Sequence, residues 1–144
     1  MNSTAVLHPA IALAWWSIAV LALVSIRRIV FLRGRGRTGA EDMEPFKLAE
    51  PSDTPALVSL ANRNYINLFE SPVLFYFSCT ILFLTDSVTR LTVWLAWAYF
   101  ATRLAHSLVH MTGKRVLYRS VLFGVGAVFL CGLLAQATQS IFAR

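Results

Sequence analysis

The chain is poor in charge, and above all in negative charge. Only 14% of its 144 residues are charged, with 13 Lys and Arg against 7 Asp and Glu, whereas soluble domains carry about 25% charged residues. The composition is 57% hydrophobic, and the mean hydropathy is +0.62. This balance argues against an ordinary soluble protein and favours a membrane protein that forms a single compact unit.

Other absences narrow the possible functions. The net charge of +6 could attract nucleic acid, but no nucleic-acid-binding fingerprint accompanies it, so we expect no nucleic-acid partner. The two cysteines, Cys79 and Cys131, lie inside apolar runs, which favours small buried hydrophobes over a disulfide or a redox site. His106 and His110 are four residues apart without an HExxH motif or a third ligand, so no metal is expected.

Long apolar segments are what the sequence does contain. Residues 9–26 carry no charge and are followed by Arg27 and Arg28. Because a cleavable signal peptide would place its positive charges before the apolar run, we expect a retained helix here. The four predicted spans cover residues 9–32, 55–84, 88–111 and 116–142. We therefore expect an all-α integral membrane protein, a four-helix up-down-up-down bundle in one domain over residues 1–144.

Three local signals refine the predicted spans. In "PSDTP", Asp53 or Thr54 could cap the start of span 2, and Pro55 suits a first helical position. Pro72 lies inside span 2, where it removes a backbone hydrogen bond and predicts a kink. Gly113 stands where span 3 should end.

Basic residues collect on one side of the predicted bundle. Those at or after the ends of spans 1 and 3 are Arg27, Arg28, Arg33, Arg35, Arg37, Lys47, Lys114, Arg115 and Arg119, against Arg90 and Arg144 on the other side. The positive-inside rule therefore predicts that the loop 33–54 and the link 112–116 are cytoplasmic, and that both termini lie on the non-cytoplasmic side.

Polar side chains also occur within the spans, where lipid would surround an isolated helix. They are Arg63, Asn67 and Glu70 at i, i+4 and i+7 on span 2; Arg103, His106 and His110 at i, i+3 and i+7 on span 3; and Arg119 and Ser120 at the start of span 4. Each of the first two sets shares one helix face. Because an ionised residue inside a membrane costs at least about 2.5–3.5 kcal/mol, these groups should face protein or a wet cavity.

Two interpretations of this polar set stay open. Glu70 could pair with Arg103 or Arg63 and brace the helices. That brace leaves a surplus of cations, because Arg63, Arg103 and Arg119 have only Glu70 to balance them. The surplus fits a small ligand with carboxylates and at least one amine, since arginine binds carboxylates through two hydrogen bonds and Glu70 could accept from the amine.

The same residues carry a family resemblance. "RNYINLFE", in the pattern Arg63-x-x-x-Asn67-x-x-Glu70, resembles the helix 2 signature of the MAPEG family, the membrane-associated proteins in eicosanoid and glutathione metabolism. "RLAHSLVHMTGKRVLYRS" resembles the family's segment from helix 3 to helix 4, with an Arg-x-x-His pair, a basic turn and Arg-Ser. The two segments fall within residues 55–130, and their order and spacing agree with the family.

The resemblance implies a homotrimer that binds glutathione between subunits near the cytoplasmic face. On that likeness the peptide would be held by Arg63, Asn67, Glu70, Arg103 and Arg119, with His106 and His110 beside it and Arg28 or Arg27 on the glycine carboxylate. Arg119 and Ser120 would lie nearest the sulfur and do the catalytic work. The implied activity is that of a glutathione-dependent transferase or peroxidase acting on lipophilic electrophiles from the bilayer.

The sequence departs from the family's catalytic pattern at two positions. Tyrosines that many active members carry late in helix 3 and one turn after the Arg-Ser pair are replaced by His110 and Phe123. Glutathione binding is therefore better supported than turnover. The alternative is a non-catalytic membrane protein that binds a lipid or small acidic ligand in the same intersubunit pocket. The short chain and compact loops favour a bacterial-type member, in the inner membrane.

Overall fold

The described part of the chain is built only of helices. A computed structural model describes residues 2–36, 39, 54–112 and 116–142, and no strand occurs within them. A short 3₁₀ helix, Ser3–Val6, precedes five α-helices: α1 (Leu7–Arg33), α2 (Ala56–Glu70), α3 (Pro72–Leu84), α4 (Arg90–Thr112) and α5 (Val116–Phe142). The all-α prediction is confirmed. Helix α1, the α2–α3 pair, α4 and α5 correspond to the four predicted spans.

Three of the four segments have the length and composition of membrane spans. These are Ser3–Arg33, Ala56–Leu84 and Val116–Phe142. Helix α4 is not among them: it has 23 residues, and Arg103, His106 and His110 make it more polar than the others. Large apolar side chains such as Trp15 and Val128 are 71% and 69% exposed. An apolar outer surface over buried polar groups is the pattern of a protein solvated by lipid.

Span 2 is interrupted beside Pro72, where a kink was predicted from the sequence. Helix α2 ends at Glu70, and Pro72 is the first residue of α3, where its missing N–H removes no bond that this helix needs. Ser71 between them keeps helical backbone angles, with φ −80° and ψ −28°. The interruption separates a polar segment, α2, from the apolar segment α3.

The predicted start of span 2 needs a correction. Pro55 is the residue before α2 rather than its first helical residue, because its ψ of 142° is extended. Its carbonyl accepts hydrogen bonds from the N–H groups of Val58 and Ser59. Thr54 does not cap the helix, since its buried hydroxyl has no hydrogen-bond partner in the described residues. Asp53 and Gly113, the other predicted signals, lie outside the described residues, as does most of the loop 33–54.

The core lies where α5 packs on α3 and α4, and α1 packs on α2 and α4. Its most buried members include Leu13, Phe75, Tyr99 and Leu133. A Cβ on Gly126 would come within 2.9 Å of the Thr102 hydroxyl, so glycine permits the close approach of α5 to α4. The cysteine prediction is half right: both thiols are free and Cys79 is buried, but Cys131 is exposed.

Candidate functional site

Helices α2, α4 and α5 together form a polar cleft of about 260 Å³. Its lining residues are Asn67, His106, His110, Arg119, Ser120 and Phe123. Five of these were predicted as site residues from sequence, and Phe123 was singled out as a departure from the family pattern. Polar residues that were selected on three separate helices are therefore brought together by the fold.

Two histidines and one phenylalanine form a row of rings on the cleft wall. His106 and His110 are one turn apart on α4, and their ring centroids are 5.7 Å apart in an edge-on arrangement. The His106 ring is 5.9 Å from the Phe123 ring on α5. The two histidines are 5% and 3% exposed, so they belong to the wall of the cleft and not to its rim.

Arg103 lies behind this wall. It is 2% exposed, and its guanidinium carbon is 4.5 Å from the centre of the Phe123 ring and 5.1 Å from that of Tyr99. Within the described chain none of its three guanidinium nitrogens has a hydrogen-bond partner. The predicted brace between Arg103 and Glu70 is therefore absent from the single subunit. Two aromatic faces stabilise the buried cation instead.

Arg63 and Glu70 do not line the cleft, although they were predicted to share a face with Asn67. Both side chains are exposed on α2, while Asn67 is half-buried. The Asn67 amide donates a hydrogen bond to the Arg63 carbonyl at 2.8 Å, within its own helix. The polar face of α2 thus turns partly toward the cleft and partly outward, away from the other helices of the same chain.

The basic end of α1 also lies apart from the cleft lining. Arg28 is half-buried and is not among the cleft residues. The neighbouring Arg27 donates a hydrogen bond to the Leu57 carbonyl at 2.7 Å and ties α1 to the start of α2. In one subunit Arg27 therefore has a structural contact, and the predicted glycine-carboxylate contact of Arg28 needs a ligand that reaches beyond this cleft.

A second polar cluster was not predicted. Asn64 is fully buried, and its amide donates to the Ser107 hydroxyl at 2.7 Å. The indole N–H of Trp16 donates to the same hydroxyl at 2.9 Å. One serine thus links α1, α2 and α4. Asn64 is next to Arg63 among the polar residues of span 2, but nothing in the sequence pattern indicated Ser107 as its partner.

The chemistry of the cleft suits an anion. Arg119 supplies a positive charge, and no carboxylate occurs among the described residues that line the cleft. Ser120 donates its hydroxyl proton to the Val116 carbonyl at 3.1 Å, so it must rotate before it can donate to a ligand. Fixed charge and neutral donors in a partly dry site are the usual means of stabilising an anion.

Comparison with known proteins agrees with the sequence pattern. The model of the MAPEG family matches residues 6–138, which covers all five helices except the last residues of α5. No curated protein and no solved structure gives a significant match.

Proposed function

The chain belongs to the MAPEG family, and from that premise we propose that it is a membrane-embedded glutathione-dependent transferase or peroxidase. It would activate the glutathione thiol against lipophilic electrophiles. The observation that carries the proposal is the cleft in which Asn67, Arg119 and Ser120 meet. The described part of its polar lining has a cation and no carboxylate, as a site for an anionic thiol peptide requires.

The charges of glutathione match those of the site and of the adjoining surface. Glutathione has two carboxylates and one ammonium group. The exposed guanidinium of Arg63 and the exposed carboxylate of Glu70 stand on the same helix as Asn67. Arginine would hold a carboxylate, and Glu70 would accept hydrogen bonds from the ammonium group.

The outward direction of Arg63 and Glu70 supports a site shared between subunits. Both residues belong to a segment with the composition of a membrane span, where exposing an ionised side chain to lipid costs about 2.5–3.5 kcal/mol or more. The cleft of about 260 Å³ is also smaller than usual ligand pockets of about 300–1,000 Å³. A homotrimer in which a neighbour completes the pocket, near the cytoplasmic face, accounts for both facts.

The proposed chemistry is stabilisation of the thiolate over the thiol. A positive charge beside the sulfur lowers the pKa of the glutathione thiol, and each unit of lowering corresponds to about 1.4 kcal/mol. Among the described residues that line the cleft, Arg119 is the cation, and it is therefore the residue that we assign to this task. The electrophile would arrive dissolved in the bilayer, and the protein would contribute positioning and electrostatics.

Replacing Arg119 tests the proposal directly. Purified protein in detergent is mixed with glutathione, the thiolate is followed by its ultraviolet absorbance, and turnover is followed by conjugation of an aromatic chloride. We expect Arg119→Ala to lower the thiolate signal about tenfold or more, because it removes a charge beside the sulfur. Arg90→Ala, at the exposed start of α4, is the matched control and should leave the signal unchanged. Absence of glutathione binding to the unaltered protein would refute the proposal.

A second function is favoured by one observation. Phe123 faces the cleft at the position where many active members carry a tyrosine, and its ring has no hydroxyl to donate. A non-catalytic membrane protein that holds a lipid or small acid would use the same pocket. Glutathione binding without thiolate formation or conjugation, together with tighter binding of a fatty acid, would identify this second function.

A further inference from the structure

A groove between α1 and α2 lies apart from the polar cleft. Its volume is about 270 Å³, and among the described residues it shares no lining with the cleft. Its lining is apolar except for Arg27; the other members are Ile26, Val30, Phe31, Pro55, Leu57 and Val58. The side chain of Val30 is 65% exposed and that of Leu57 is 59% exposed, so the groove is open to the surroundings of the bundle. Such a surface can take a hydrocarbon chain.

The groove lies near the ends of two membrane spans. The segment Ser3–Arg33 has 31 helical residues, which is about as long as a bilayer with its headgroups, about 40–45 Å. Its last turns therefore reach the level of the headgroups. Val30 is three residues before the end of α1, and Leu57 is the second residue of α2. A lipid chain in the groove would thus have its headgroup close to the ends of both helices.

Two arginines place positive charge at this groove. Arg27 lines it, and one of its N–H groups donates to the Leu57 carbonyl at 2.7 Å. A guanidinium has five N–H groups, so this single bond leaves donors for an anion. The guanidinium carbon of Arg35 lies 4.5 Å from the centre of the Phe31 ring, which belongs to the lining. No carboxylate occurs among the described lining residues. The charge of the groove is therefore complementary to an anion with an apolar tail.

We propose that this groove binds one anionic phospholipid, with an acyl chain along Val30 and Leu57 and the phosphate at Arg27 and Arg35. Arginine binds phosphate through paired hydrogen bonds, and basic pockets between membrane helices bind acidic lipid headgroups. The bound lipid would hold the end of α1 against the start of α2. This site does not depend on glutathione binding at the cleft.

Native mass spectrometry of the purified protein tests the proposal. The protein in detergent is titrated with phosphatidylglycerol or with phosphatidylcholine of the same acyl chains. We expect phosphatidylglycerol to be retained at least about fivefold more tightly, because one basic residue at an anionic lipid contributes about that factor. Phosphatidylglycerol should also raise the unfolding temperature, since a ligand that binds only the folded state stabilises it.

Two variants separate the headgroup contact from the chain contact. Arg35→Gln should lower the retention of phosphatidylglycerol about fivefold, whereas Arg90→Gln, at the exposed start of α4, should not change it. Val30→Asn should lower the retention of both lipids, because the chain would cover an unpaired amide. Val128→Asn, on α5 and 69% exposed, is the matched control.

Four results would overturn the proposal. Equal retention of the two lipids by the unaltered protein would show that no headgroup charge is recognised. Unchanged retention in Arg35→Gln would mean that the arginine serves only to orient the chain in the membrane. Equal losses in Val30→Asn and Val128→Asn would indicate unspecific surface lipid. A change of oligomeric state in Val30→Asn at unchanged lipid retention would show that a neighbouring subunit occupies the groove.

Discussion

Helices α2 and α3 are parts of one apolar segment of the sequence, yet they differ in almost every physical respect. Helix α2 carries Arg63, Asn64, Asn67 and Glu70 in 15 residues, whereas the 13 residues of α3 include no charge. Phe75 and other apolar side chains of α3 are fully buried. The two helices therefore contribute differently on the two sides of Ser71–Pro72: α3 contributes apolar side chains to the core, and α2 places polar side chains in the cleft and beside it.

The largest expected effect is a loss of stability when a buried side chain of α3 is removed. Phe75 is 0% exposed and packs against Tyr99 with ring centroids 4.5 Å apart. Phe75→Ala should lower the free energy of unfolding by about 3 kcal/mol, the lower end for a buried phenylalanine, because the unfolded helices remain in lipid. Phe77, on the same helix and 56% exposed, is the matched control. Thermal unfolding in detergent measures both, and equal losses would show that α3 has no buried face.

Apolar content and helical period were sufficient to predict much of this fold. Long apolar segments identified the helices, and Pro72 identified the break in span 2, because hydrophobic length and a missing N–H act locally. The helical period also grouped His106 with His110, which both line the cleft, but it grouped Asn67 with Arg63 and Glu70, which do not. The helical period could not show that the rings of Phe123 and Tyr99 pack on Arg103. A period shows which residues share one helix face, but the side chains that pack on that face come partly from neighbouring helices.

The same limit explains the outward position of Glu70. Spacing placed it on one face with Arg63 and Asn67, but a helix face of this width has two sides. Only the packing of α4 and α5 decides which side becomes the cleft wall. The family match over residues 6–138 adds the expectation of a neighbouring subunit on the other side, which no feature of one chain could supply.

Removing one charge from α2 tests whether this helix contributes to glutathione binding. Glu70→Gln keeps the shape of the side chain but removes the partner proposed for the glutathione ammonium group. We expect glutathione affinity to fall about tenfold, or about 1.4 kcal/mol, while thermal stability stays unchanged because Glu70 is exposed. Isothermal calorimetry measures the affinity.

Asp86→Asn is the control for this charge removal. Asp86 is an exposed acid after α3, and its φ of 50° suits asparagine as well as aspartate. If this variant weakens glutathione binding as much as Glu70→Gln does, the effect is one of net charge, and Glu70 does not contact the ligand.

The smallest expected effect concerns two asparagines of α2 that have different roles. Asn64 is buried and donates to Ser107 on α4, whereas Asn67 donates within its own helix and lines the cleft. Asn64→Ala should lower the free energy of unfolding by about 1 kcal/mol, a typical value for a hydrogen bond between membrane helices. The loss stays small because Trp16 still donates to Ser107. Asn67→Ala should weaken glutathione binding and change stability by less than half as much.

The opposite pattern would contradict the division within α2. If Asn64→Ala weakens binding at unchanged stability, the cluster around Ser107 belongs to the ligand site and not to the scaffold. Ser107→Ala distinguishes these cases independently, since it removes the acceptor from the indole N–H of half-buried Trp16 and from the amide of buried Asn64. Its stability loss should exceed that of Asn64→Ala, because two unpaired donors are costlier than one lost bond. If the same residues of α2 served both packing and ligand binding, Asn64→Ala and Asn67→Ala would each lower both the free energy of unfolding and the glutathione affinity.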